Sequence, residues 1–302
     1  MAEIGGGRPR QHRSVRIIAA GASLVLLALV AFWPAPKPVK HNYFASLAPQ
    51  KAEVIAHGGG QGNAPPDTLE ALQLADDMGA DVLEIDLQLT QDGVLVLHHD
   101  DTLDRITDMK GPIASYRWAD LQKADSGFHT SINGQSFRGK GIKIARLEQA
   151  FDRFPGRRWV IEIKNDSIVA SQTLCELIER YDARARVIVA SFHDSAMTAF
   201  RTACPHVATA LSTGEVRLFL IASHLRLSRF VTSPGVALQI PTAAAGFDLT
   251  DRHFLATARA RGLKIQYWTI NDPKEMRRLV DLGADGIMTD YVQRFDKAWV
   301  RP

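Results

Sequence analysis

From Lys51 onward the chain alternates short Val- and Ile-rich runs with amphipathic stretches, and that alternation leaves few architectures open. Val54–Ala56, Val82–Leu87, Val94–Leu97, Trp159–Ile163, Val187–Ser191, Val207–Leu211, Val236–Ile240 and Ile265–Ile270 read as strands. Helix signals stand between most of them. Asp67 is predicted as an N-cap with Glu70 three residues on, and Leu69, Leu72, Leu74 and Met78 follow before Gly79 stops the turn. Asp272, Pro273 and Glu275 open another helix, which Gly283 closes, and Thr250 to Gly262 reads the same way. Strands alternating with helices give a mostly parallel sheet covered on both faces. Eight strand candidates in about 250 residues match a TIM (β/α)8-type barrel. The recurrence of MGADVLEID (78–86) and LGADGIMTD (282–290) is what repeated αβ units produce.

Two features break the regularity. Gln88–Gly93 is too short for a crossover helix between the second and third strands, since a parallel connection takes a dozen or more residues. Gly286–Asp290 supplies a ninth strand candidate. The expected fold is therefore α/β, a TIM (β/α)8-type barrel with an irregular second-to-third strand connection. Gly-rich Asp101–Ala145 is expected as an insertion or lid after the third strand.

The N-terminus has a different character. Arg8, Arg10, Arg13 and Arg16 precede an apolar run from Ile17 to Trp33 that Pro34 closes. A membrane span takes about 17–25 apolar residues, and a signal-peptide core about 7–15. Ala31-Phe-Trp-Pro-Ala makes a poor cleavage site, which favours an anchor over a cleaved signal. Positive charge on the N-terminal side places the tail in the cytoplasm and exports the rest. The expected organisation is a basic tail (1–16), a single-pass anchor (17–33), a Pro-rich spacer (34–50) and the barrel (51–302), on the outer face of a cytoplasmic membrane. Trp33 and Tyr43 are candidates for the membrane interface.

Composition narrows the partners. The 302 residues carry a net charge of only +3, and part of that charge sits in the first sixteen residues, so nothing points to nucleic acid. Two cysteines, Cys175 and Cys204, are too few for a disulfide framework or a Cys-based zinc site. Export would permit them to pair, but spacing leaves that open. No feature specifies an oligomeric state.

The chemistry gathers at strand ends, which converge on one face of a barrel. His57 and Gly58–Gly60 end the first strand; Glu84 and Asp86 lie on the second; His98, His99 and Asp100 end the third; Glu162 and Lys164 close the fourth. Glu84 and Asp86, two apart, point the same way, while Leu83, Ile85 and Leu87 take the other face. Adjacent carboxylates repel unless a cation or proton compensates. With Glu162 they make three hard oxygen ligands, which suit Ca²⁺ or Mg²⁺ better than zinc. Taken singly, each residue has a plainer reading: a solvated Glu-x-Asp face, a core histidine, a surface lysine, a glycine loop. Their coincidence at successive strand ends outweighs those readings.

The run AHGGGQGNAPPDTLEAL…GADVLEIDLQLTQDGVLVLHHDDTLDRITD resembles the glycerophosphodiester phosphodiesterases, whose pattern is His-Arg-Gly, Pro-Glu-Asn-Thr, Glu-x-Asp, Thr-x-Asp-Gly and His-Asp. IEIK (161–164), SFH (191–193), WTIN (268–271) and GIMTD (286–290) extend the likeness across Lys51–Arg294. The resemblance implies a metal-dependent TIM-barrel enzyme cleaving glycerophosphodiesters to glycerol 3-phosphate and an alcohol. It makes His57 and His99 the acid–base pair, Glu84, Asp86 and Glu162 the ligands of one divalent cation, and Lys164 a phosphate contact. The attacking oxygen is either the substrate's own glycerol hydroxyl, giving a cyclic phosphate, or water. Spacing favours His99 over His98; His193 is placed at the pocket edge and Trp268 is a candidate wall.

Two departures stand out. Gly58 replaces the family's phosphate-gripping arginine, which shifts charge compensation onto Lys164 and Arg105. Pro65-Pro66-Asp67-Thr68 replaces Pro-Glu-Asn-Thr, with Asp67 expected to keep the helix-start role. Two alternatives compete: a lysophospholipase D-type activity, which a greasy rim on 101–145 would support, and a non-catalytic binding protein, suggested only by the missing arginine.

Overall fold

The computed structural model describes residues 36–301, apart from Ser46 and Pro49. The expected tail and anchor lie outside the described residues. Among those described, no helix is long and apolar enough to cross a membrane.

The strands are β1 (Glu53–Ala56), β2 (Val82–Leu89), β3 (Leu95–Leu97), β4 (Ser131–Ile132), β5 (Gln135–Ser136), β6 (Trp159–Ile163), β7 (Val187–Ala190), β8 (Ala208–Thr209), β9 (Ala237–Ile240), β10 (Ala243–Ala244), β11 (Phe247–Asp248), β12 (Lys264–Tyr267) and β13 (Gly286–Thr289). Eight of them form a parallel sheet in the order β8-β7-β6-β2-β1-β13-β12-β9. A parallel bridge from Ala210 to Ala237 joins the two ends, so the sheet curls into a nearly closed barrel. Outside it run α1 (Leu69–Asp77), α2 (Trp118–Leu121), α3 (Leu147–Arg153), α4 (Ile168–Arg180), α5 (Asp194–Ala203), α6 (Thr213–His224), α7 (Arg252–Ala260) and α8 (Pro273–Asp281).

The expected third barrel strand is not one. β3 pairs antiparallel with β2, Leu87 opposite Leu97, and lies off the barrel path. The cause is length: the chain reverses over Thr90–Val94, with Gly93 at φ +80°, and a turn this short permits only a hairpin. β13, the extra candidate, completes the eight. The 101–145 segment does follow β3, carrying α2 and the β4–β5 hairpin, and its Leu103, Ile113, Leu121, Ala124 and Ile144 form an apolar cluster with Val96 of β3.

Alternation along each strand sorts two apolar layers. Ile55, Val82, Val160, Ile188 and Met288 fill the barrel; Val54, Leu83, Ile85, Ile161 and Val189 pack outward under the helices. Glu84 and Asp86 share the parity of Val82 and so point inward. Tyr43 belongs to the inner layer: it is buried, with the Arg158 guanidinium 4.1 Å from its ring centre. It is therefore packed in the protein interior, not placed at a membrane interface. Replacing it with alanine empties an aromatic-sized site, and we expect a loss of about 3–5 kcal/mol in urea unfolding. A loss under 1 kcal/mol would show that the ring is not a structural plug.

Two capping expectations shift by a residue or a partner. Thr68, not Asp67, caps α1, its hydroxyl accepting from the Ala71 N–H. Asp272 caps α8, but Glu275 pairs with Arg278 instead of closing a capping box. Cys175 and Cys204, 29 residues apart, are disulfide-bonded and tie α4 to the end of α5.

Candidate active site

β2 and β6 run parallel with Asp86 opposite Glu162 in register, so their inward side chains stand side by side, with Glu84 two residues back. The three carboxylates offer oxygens within 4.8 Å of one another. Lys164, one step beyond β6, reaches back to them, its Nζ 3.0 Å from Asp86 and 2.9 Å from Glu162. Burial and the neighbouring Asp86 charge push the Glu84 carboxyl up to about 8, against the nearby His57 charge and a 2.6 Å hydrogen bond donated by the Gly58 N–H. Burial and Asp86 also raise Glu162, opposed by Lys164. Burial would lower the Lys164 ammonium, but Asp86 and Glu162 outweigh it and raise it. One lysine leaves this cluster short of positive charge, and the buried, oxygen-only donor set fits a hard divalent cation.

Each candidate histidine is fixed through its Nδ1. His57 donates to Asp290 Oδ1 at 2.8 Å, and Asp290 in turn accepts from Gln61 Nε2 at 2.8 Å and Asn271 Nδ2 at 2.6 Å. Burial pulls the His57 imidazole down, but Asp290 and the carboxylates of Glu84 and Asp86 prevail and push it up to about 9. His99 donates to Asp100 Oδ1 at 2.7 Å, and Arg105 grips Asp100 through Nε at 2.5 Å and Nη2 at 2.9 Å. Burial raises the Asp100 carboxyl, and the hydrogen bonds from Arg105 and His99 override it, drawing it down to about 2. The hairpin carries His99 to the acids, because the His98 N–H donates to the Asp86 carbonyl at 2.9 Å. His98 itself is buried, bonded to the Thr102 carbonyl at 3.1 Å.

A cavity of about 750 Å³ is lined by His57, Glu84, His99, Glu162, Lys164 and Trp268. Trp268 stands edge-on to Phe192, ring centres 5.8 Å apart, and walls the cavity. Three other residues singled out from the sequence do not themselves line it. Arg105 is held by Asp100 and does not line the cavity. Gly58, at φ +53°, gives its N–H to Glu84. His193 ties to the Lys164 carbonyl at 3.1 Å. Asp67, in the left-handed region at φ +55°, accepts from the Asp86 N–H at 3.0 Å, so it braces a candidate ligand instead of starting a helix.

Sequence reasoning gave no role to Asp290, Asn271 or Arg217. The first two lie inside the quoted GIMTD and WTIN motifs, and the motif was the signal that could have found them. Arg217, which also lines the cavity, carried none. If Asp290 orients His57, Asp290→Asn lowers kcat/KM by about 10²-fold or more. Loss of its charge also lowers the imidazole pKa, so the pH-rate limb belonging to His57 moves to lower pH whether His57 acts as acid or base. An unmoved limb would assign Asp290 a merely structural role.

Two buried carboxylates and a half-buried third, a lysine and two aspartate-anchored histidines gather at one end of a TIM-type barrel, an arrangement that can hold a cation and an anionic group together. The model of the glycerophosphoryl diester phosphodiesterase family matches residues 57–294, and the chain belongs to that family. A glycerophosphodiester phosphodiesterase of Caldanaerobacter subterraneus subsp. tengcongensis is 30% identical over 247 residues, spanning 80% of this chain and 94% of that one. A human lysophospholipase D is 26% identical over 262 residues, 78% of this chain and 82% of its own. The structure of an Oleispira antarctica phosphodiesterase in complex with the product sn-glycerol-3-phosphate superposes with a TM-score of 0.68 at 26% identity, covering 84% of this chain and 97% of that one.

Proposed function

We propose that the protein hydrolyses glycerophosphodiesters to glycerol 3-phosphate and an alcohol, with His57 and His99 as the acid–base pair beside one divalent cation, Ca²⁺ or Mg²⁺, held by Glu84, Asp86 and Glu162. The observation that carries this reading is the pairing of two histidines, each with Nδ1 committed to an aspartate, on the cavity that also holds the acids. Such anchoring leaves Nε2 of each ring for proton transfer. One takes the proton of the attacking oxygen and the other supplies the departing alkoxide. A bound cation would supply charge neutralisation at the phosphoryl oxygens. Retention of both histidines and all three acids speaks against a non-catalytic binding protein.

Lys164 takes the load of the missing arginine in this reading. Once a cation shares the acids, its ammonium is available to the phosphate. Lys164→Ala is expected to lower kcat/KM on glycerophosphocholine by about 10²–10³-fold, the scale of a lost transition-state charge contact. A change below threefold would move that role to another cation, with Arg217 next in line. An exported location agrees with the arginines before the apolar run and with the Cys175–Cys204 disulfide, since such bonds persist in oxidising compartments. Labelling of an exposed residue in intact cells by an impermeant reagent tests it; labelling only after lysis would contradict it.

A further inference from the structure

Among the described residues that line the cavity, Glu84, Glu162 and Lys164 are charged members of the acid cluster, and one charged side chain stands apart from it, Arg217. Barrel order fixes where. Around the ring the strands run β1-β2-β6-β7-β8-β9-β12-β13, with β13 back beside β1. α6 joins β8 to β9, half a turn around from β1 and β2; His57 follows the first of these and Glu84 lies on the second. Thr213, Val216, Arg217, Leu220 and Ile221 all line the cavity, at the spacing of one helix face. Arg217 therefore meets the cavity from the wall opposite His57 and Glu84.

Its guanidinium is uncommitted. Arg217 is exposed and forms no hydrogen bond or ion pair among the described residues. Asp194 feels its charge, but that carboxyl is held low first by hydrogen bonds from Ser212 and from the Gly214 N–H, the latter at 2.9 Å. Nothing comparable serves a cation. No acidic side chain lines this wall, and a quaternary ammonium settling on the Phe192–Trp268 pair would meet the Lys164 ammonium, 5.9 Å from the Phe192 ring centre. In a glycerophosphodiester the glycerol is neutral and the phosphate is common to every member. Only the leaving alcohol varies in charge, so a charged side chain across the mouth from the acids discriminates by that alcohol.

We propose that Arg217 reads the charge of the leaving alcohol, selecting glycerophosphodiesters whose alcohol carries an anionic group over those whose alcohol carries an ammonium. The inference rests on the hydrolytic reading above and adds to it a specificity-determining residue that lies outside every motif quoted from the sequence. The bonds made and broken are those of that hydrolysis; Arg217 contributes a charge-assisted hydrogen bond to the departing group.

The test is release of glycerol 3-phosphate by the full chain in nanodiscs, under saturating Mg²⁺, from three synthetic diesters that differ in one terminal group: the glycerol 3-phosphate esters of 4-hydroxybutanoate, 1,4-butanediol and 4-aminobutanol. The parent should favour the carboxylate diester over the amine diester. Arg217→Gln should cut that ratio of kcat/KM by about tenfold or more, the scale of a lost charge-assisted hydrogen bond. Comparing ratios between parent and variant cancels both leaving-group reactivity and general damage. Arg217→Lys should keep the order and Arg217→Glu should reverse it. Raising the ionic strength from about 0.05 to about 0.5 M should shrink the preference of the parent and leave that of Arg217→Gln unmoved, which a structural role would not do. A ratio unchanged in both Arg217→Gln and Arg217→Glu would overturn the inference and leave the hydrolytic reading standing. An equal fall on all three diesters would overturn it too, moving Arg217 to the scissile phosphate. No release from any of the three by the parent would overturn both readings.

Discussion

Replacing His57 with glutamine is expected to lower kcat/KM for glycerophosphocholine by about 10³-fold, within the range for a lost general acid or base. Glutamine can still hydrogen-bond to Asp290, which keeps the neighbourhood intact, but it can neither take nor give a proton at the substrate. His99→Gln should cost a similar factor. If the two rings serve opposite ends of one reaction, as proposed, the double variant should fall little further than either single one. Glycerol 3-phosphate release under saturating cation reads all three. Activity of His57→Gln within tenfold of the parent would mean that the Asp290-anchored ring is not in the reaction.

The second large effect has two signs. Glu84→Gln removes one of three candidate ligands and should lower activity by about 10³-fold at limiting cation, as expected for a charge-stabilising ion lost from a phosphoryl site. In the cation-free protein the same change should raise the melting temperature. Burial and Asp86 raise the Glu84 carboxyl to about 8, above its value in the unfolded chain. Folding therefore requires proton uptake above the ordinary glutamate range, and the resulting destabilisation grows with pH until it is complete above about 8. Glutamine carries no such burden, so the stabilisation should be larger at pH 8 than at pH 5. A bound cation would have to displace that proton, so affinity should weaken as pH falls below 8, by up to about tenfold per unit. A variant that loses activity and melting temperature together would indicate simple misfolding.

Much of this site was legible because it depends on period and order. Glu84 and Asp86 could be placed on one strand face from alternation alone, and His57 at a strand end from the apolar run before it. The path of β3 was harder: a Val- and Leu-rich run looks the same whether it joins a barrel or folds back, and only the short Gln88–Gly93 link hinted at the hairpin. Asp67 misled because aspartate is favoured both as an N-cap and in the left-handed region, and its contacts with the Gly58 carbonyl and the Asp86 N–H are not local ones. The partnership of Asp290 with His57 spans 233 residues, and no local rule reaches that far. The same holds for Cys175 and Cys204, whose distance depends on how α4 and α5 pack.

In the proposed reaction a cation and two imidazoles work at one point. The most direct measurement is glycerol 3-phosphate release from glycerophosphocholine by the full chain after exhaustive chelation, followed by titration with Mg²⁺ or Ca²⁺. Release should vanish on chelation and return saturably with added ion in the parent, while Asp86→Asn stays inactive across the same titration. Undiminished release from chain verified free of divalent ions would contradict the account.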